Sequence, residues 1–163
     1  MAKIQIPFSL QGMDRFKEIL AVLSSPKLEE MFIEESLLYL KERAIYYVNA
    51  TVGTSEWYVS TGTLANSFEI DTTLKKLYNS CRYSAYVEYG TGIHGDSEDG
   101  YVSNVSGKGN SGWIFKTEDG EFHFTHGQYP HRFMFNAVQD YVVGGAYKII
   151  FNKCFEKLLG GLK

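Results

Sequence analysis

Of the residues whose types bind metals or move protons, Glu88, His123, His126 and His131 are the first to weigh for chemistry. A zinc site needs three or four nitrogen, sulfur or oxygen ligands at spacings that let them converge. The three histidines match no such spacing: neither H-E-x-x-H nor a Cys/His knuckle is present. On a strand, His123 and His126 point to opposite faces. Glu88 lies in "AYVEYGTG", among Tyr86, Val87 and Tyr89. Apolar surroundings raise a carboxyl pKa and suit a general acid. The same surroundings suit a carboxylate that caps a helix or pairs across a subunit contact. One reading is therefore a small cytoplasmic enzyme that works through Glu88 and the histidines. Other candidates fail on spacing. "DSEDG" at 96–100 lacks the alternating oxygen ligands, sixth-position glycine and closing glutamate of a calcium loop. "SGKGNSG" is not a phosphate loop, and "STGTL" lacks the flanks of a nucleophile elbow. The sequence assigns no catalytic residue, no metal ligand and no cofactor.

Composition narrows the partners. The 163 residues carry a formal charge of -3 with a pI near 5.8, which gives no general attraction for DNA or anionic membrane. Twelve tyrosines and eleven phenylalanines, without interleaved basic residues, fit a protein contact surface rather than a stacking platform for nucleic acid. Cys81 and Cys154 are too few for a disulfide framework. Cys154 falls on an apolar helical stripe and reads as a buried thiol. The N-terminal stretch has no continuous apolar region of a signal peptide. No run reaches the roughly 18 apolar residues of a membrane span.

The elements that would position these residues follow from periodicity. Residues 1–10 read as an extended arm, and "GMDRFKEILAVLSS" as a short helix with Phe16, Ile19, Leu20 and Leu23 on one stripe. Ser25-Pro26 opens a longer helix. On it, Ile33, Leu37, Leu40, Ala44 and Tyr47 form one apolar stripe. Met31, Leu38 and Ile45 form a second, more than 100° around the axis. Two stripes mean two packing partners: either a central helix of one domain, or a core on one side and a neighbouring subunit on the other. Residues 66–81 read as a hairpin and "YSAYVEYGTG" as a short helix ended by Gly90. Residues 91–112 read as a long loop that a partner orders. Strands flank Asp119-Gly120, a strong hairpin signal. A helix runs from beyond Pro130 to about Val143 and breaks at Gly144-Gly145, and a last helix follows, closed by Gly160-Gly161. The expected fold is α+β: a long N-terminal helix and a C-terminal helix packed on a small, mostly antiparallel sheet, with a long mobile loop. The expected organisation is an arm (1–10), a main domain (11–145) and a helical extension (146–163).

Three stretches in order, "STGTLANSFEI" (60–70), "YSAYVEYGTG" (83–92) and "GQYPHRFMFNAV" (127–138), carry a family resemblance. They are similar to the TG-x-L-x-x-S, YA-x-YVE-[FY]-GT and G-x-x-P-x-x-F-[ML]-x-x-A signatures of the tail-completion, or head–tail joining, proteins of long-tailed bacteriophages. The chain departs from the pattern at Thr63, where members often carry Arg, and at Ser84, before Ala85. The resemblance implies a structural virion protein of the neck or tail end, made in the bacterial host cytoplasm and not an enzyme. It implies a ring, sixfold by analogy with phage tails, that touches the connector and tail-tube proteins. The residues it singles out are Thr61, Gly62, Leu64, Tyr86, Glu88, Gly90, Thr91, Pro130, Phe133 and Ala137, and Met31, Leu38 and Ile45 become the self-association stripe. On this reading Thr61-Gly62 turns the chain and caps the next segment. Pro130 pre-sets the entry to a helix whose Phe133, Met134, Ala137 and Val138 form its buried edge, and the histidines are that loop's polar margin.

Overall fold

The structure, a computed structural model, describes residues 10–51, 61–95, 111–116 and 120–161. Residues 1–9 of the expected arm, most of the 91–112 loop, Glu118 and Asp119 lie outside them, and Leu10, expected in the arm, is the first residue of a helix. In chain order the elements are α1 (Leu10–Leu23), α2 (Pro26–Thr51), α3 (Thr63–Asn66), β1 (Phe68–Asp71), β2 (Lys76–Asn79), α4 (Ser84–Tyr89), a 3-10 turn (Gly92–His94), β3 (Trp113–Lys116), β4 (Phe122–Thr125), α5 (Phe133–Val142) and α6 (Ala146–Gly160). The fold is α+β as the periodicity predicts, and its strands form two separate antiparallel hairpins, β1-β2 and β3-β4. Proline opens α2 where its missing N–H costs nothing, and the Ser25 hydroxyl accepts the Lys27 amide at 3.2 Å. Gly145, at φ 77°, separates α5 from α6 at the predicted break.

Helix α2 is the spine, because both apolar cores form against it. The first joins Ala44 and Val48 of α2 to Leu64 and Ala65 of α3, Phe68 of β1, Val87 of α4, and Phe133 and Ala137 of α5. Phe68 and Phe133 meet edge to face with centroids 5.7 Å apart, a favourable arrangement of ring quadrupoles. The second core joins Val22 of α1, Leu28 of α2 and Cys154 of α6, with Met31, Ile150, Phe151 and Phe155 packed around them. The buried thiol at Cys154 is thus where the sequence puts it, and residues 146–161 are part of the packed body. Between the cores, α2 and α5 are fastened by polar groups. The Arg43 guanidinium pairs with the Asp140 carboxylate, which also accepts the Tyr47 hydroxyl at 2.9 Å. Ser36 and Tyr141 share a 2.8 Å hydrogen bond.

Three stripes differ from expectation. On α1, Val22 is the one buried residue among those whose side chains are described, while Phe16, Leu20 and Leu23 are exposed, because α6 covers the Val22 side of the helix. The Met31, Leu38 and Ile45 stripe is divided between the two cores: Met31 packs on the second, Ile45 packs on the first, and Leu38 between them is exposed. Val138 faces outward, so the inner edge of α5 is Phe133, Met134 and Ala137.

Phe133 is the most enclosed large side chain described, at 1% exposure. Phe133→Ala should cost about 3–5 kcal/mol, the usual cost of emptying a buried aromatic site. That is a large share of the roughly 5–15 kcal/mol that holds such a domain together. Urea unfolding followed by circular dichroism measures it, and a loss under about 1 kcal/mol would show that the site refills.

Candidate functional site

Tyr86, Glu88, Gly90, Thr91, Pro130 and Phe133, six of the residues singled out by the resemblance, meet at the junction of α4 and α5. Helix ends leave the first amides and last carbonyls without partners inside the helix. Here the two ends supply each other. The Glu88 side chain accepts the Met134 amide on Oε2 and the Phe135 amide on Oε1, each at 2.9 Å. In return the His131 amide donates to the Val87 carbonyl at 2.9 Å, and the Arg132 amide to the Glu88 carbonyl at 3.1 Å. Arg132 stands at the start of α5 with φ 50°, a left-handed conformation that costs a branched-chain-free but non-glycine residue energy. No side chain of its own neighbourhood caps that helix. A carboxylate from 46 residues earlier does so and also meets the positive end of the helix dipole.

A second set of contacts extends the junction. The Thr91 amide donates to the Gln128 carbonyl at 2.9 Å, and the Gln128 amide donates to the Thr91 hydroxyl at 3.1 Å. The Ile93 amide donates to the His126 carbonyl at 3.0 Å, and the Gln128 side-chain amide donates to the Tyr86 carbonyl at 2.9 Å. This approach requires Gly92 and Gly127. Both have positive φ, 63° and 118°, and a methyl group on either would overlap the opposite backbone carbonyl, His126 for Gly92 and Thr91 for Gly127. Gly90 ends α4 at φ 74° beneath Gln128 and Pro130.

Each predicted site residue can now be placed. Leu64, Phe133 and Ala137 are core; Glu88, Gly90 and Thr91 are buried in the junction, and Pro130 is half-buried beside Gly90. Tyr86 is exposed and contributes its backbone carbonyl. Gly62 turns the chain into α3 at φ 74°, but Thr61 does not cap that helix: its hydroxyl bonds the Thr63 hydroxyl at 2.8 Å instead. Gly92, Gly127 and Gln128 were not among the residues singled out by sequence, although Gly92 ends the second motif stretch and Gly127 begins the third.

Glu88 borders a shallow cleft of about 220 Å³ with Arg132, Phe135 and Val138, yet both its oxygens are engaged by backbone amides. Burial pushes its carboxyl above the ordinary value of 4.5, and the amides of Met134, Phe135 and Phe133 only partly offset this. The histidines sit elsewhere. His126 meets the Phe124 ring edge to face at 5.0 Å, and His123 lies against Phe115 in the β3-β4 hairpin. His131 contributes its backbone amide to the junction. Among the described residues, no group of three His, Cys, Asp or Glu side chains is placed to hold a metal ion.

Removing the Glu88 carboxylate leaves buried amides without an acceptor. Glu88→Ala should therefore lose about 2–3 kcal/mol, measured by urea unfolding at neutral pH. Because folding raises this carboxyl's pKa, the proton-linked part of its contribution is fully present below pH 4.5 and is lost as pH rises through the folded value, while the bonds to the α5 amides remain. Glu88→Gln cannot titrate, so its stability should fall less than wild type over that window. Parallel pH curves for the two proteins would show that another group controls the slope.

No known family, characterised protein or solved structure matches the chain.

Proposed function

We propose that the protein is a structural part of a bacteriophage neck or tail end, joining the head connector to the tail tube as a subunit of an oligomeric ring. It would be made in the host cytoplasm and retained in the virion. One observation carries this reading. The three motif stretches, far apart in sequence, meet around Phe133: Leu64, Ala65 and Phe68 from the first, Val87 and Glu88 from the second, and Phe133 and Ala137 from the third. The three stretches therefore share one core in this chain, which supports reading them together. A resemblance by chance in three unrelated segments would not require them to pack together.

Surface chemistry supports an assembly role. Cross-strand register puts Ile114, Lys116, Phe122 and Phe124 on one face of the β3-β4 hairpin. Ile114 is 66% and Phe122 72% exposed. Phe135, Val138 and Val142 make an exposed stripe along α5, and Phe16, Leu20 and Leu23 make another on α1. Soluble monomers seldom leave this much apolar surface to water, and such surface marks interaction sites. Among the described residues, no helix is long and apolar enough to cross a membrane, so a protein neighbour is the occupant this reading supplies.

The test is complementation of a phage that lacks the gene. Wild-type protein should restore infectious particles, and its absence should leave full heads and separate tails by electron microscopy. His123→Ala/His126→Ala/His131→Ala should restore particles nearly as well, because the His123 and His126 rings lie against Phe115 and Phe124, and His131 serves the α4–α5 junction through its backbone amide, which the substitution keeps. A folded triple variant that yields no particles would overturn the structural reading and favour chemistry at the histidines.

A further inference from the structure

We propose that the groove between α2 and α6 is a self-contact surface, closed in solution by the same groove of a second copy of this chain. The groove encloses about 430 Å³ and continues past Met31, Glu35 and Lys157 into a larger space of about 650 Å³ beside α1. Its apolar floor includes Leu38, which is 45% exposed even though it stands mid-helix between two cores. Its two walls carry opposite charge. Helix α2 presents Glu35 and Glu42 at the spacing of one face, and α6 presents Lys153 and Lys157 in the same way. None of these four forms an ion pair within 4 Å among the described residues.

That charge arrangement selects both the occupant and its orientation. A copy of the groove can be laid face to face on itself about a two-fold axis in two ways. With the axis across the helices, α2 lies on α2, and glutamate meets glutamate. With the axis along the helices, α2 of each copy lies on α6 of the other, so every acidic wall meets a basic one and Leu38 is covered twice. The second arrangement is an isologous contact of the kind that closes most homodimers, and opposite potentials set its register. The contact does not depend on the phage-assembly reading, since it follows from the groove alone.

Paired charge reversals test it by sedimentation equilibrium. Wild-type protein should be dimeric at tens of micromolar, roughly the range expected of a modest interface. Lys153→Glu/Lys157→Glu makes all walls acidic, and Glu35→Lys/Glu42→Lys makes all walls basic. Each variant alone should be folded by circular dichroism, with dimer affinity weakened at least about tenfold. An equimolar mixture should recover a heterodimer, because every contact in it again pairs opposite charges. A monomeric wild type, reversals that leave affinity unchanged, or a mixture that stays monomeric would each overturn the proposal. None of these outcomes bears on complementation of the phage, where the assembly reading stands or falls.

Discussion

The bonds between the Glu88 carboxylate and the amides that begin α5 are the constraint on which the surrounding structure depends. Phe133 is the first residue of α5, so fixing that end of the helix fixes the most enclosed side chain of the main core. The cost is a carboxylate held away from water, and burial outweighs the amide bonds in its pKa. A hydrogen bond to a charged group is worth about 1.5–3 kcal/mol, more than a neutral one. Here it also satisfies donors that no local residue can reach. A glutamine would offer one acceptor where two are needed, which explains why the charge is tolerated.

The same junction holds because backbone can approach backbone. Gly92 and Gly127 stand opposite each other's strands of chain, and their missing side chains let Thr91, Ile93, Gln128 and His126 exchange hydrogen bonds. The left-handed turn at Arg132 then aims α5 into the core. Strain at that residue persists because its own amide and those of Met134 and Phe135 are accepted by Glu88. The histidine-rich stretch that begins α5 is thus an anchor and entry loop, with His131 acting through its backbone.

Helix α2 divides the molecule. Its C-terminal half faces the motif core, and its N-terminal half, with α1 and α6, builds a separate one. Arg43, Asp140 and Tyr47 fasten the spine to α5 between them. A helix with two faces covered in this way satisfies most of its apolar residues inside one chain. Leu38 and Tyr46 are exposed, and Leu38 falls where the α2–α6 walls carry unlike charges. The hairpin β3-β4 differs: an isolated two-stranded hairpin is marginal in water, and its exposed aromatic face suits a subunit that meets neighbours.

Local chemistry made much of this legible in sequence. Periodicity placed α1, α2, α5 and α6, the Asp-Gly signal placed β3-β4, and paired glycines placed the break before Ala146, because each is decided by residues within a turn or two. The buried thiol and the inward stripe of α2 followed for the same reason. Sequence alone did not decide where an apolar stripe points when several neighbours compete for it: α6 took Val22 and left Phe16, Leu20 and Leu23 to solvent. Nor did it decide what Glu88 does. An acid among tyrosines reads equally as a proton donor or a cap, and only a helix brought up from residue 133 selects the cap. Single-strand patterns could not show that the strands form two hairpins rather than one sheet, since pairing depends on long-range register. The opposed walls of the α2–α6 groove likewise exist only once helices about a hundred residues apart lie side by side.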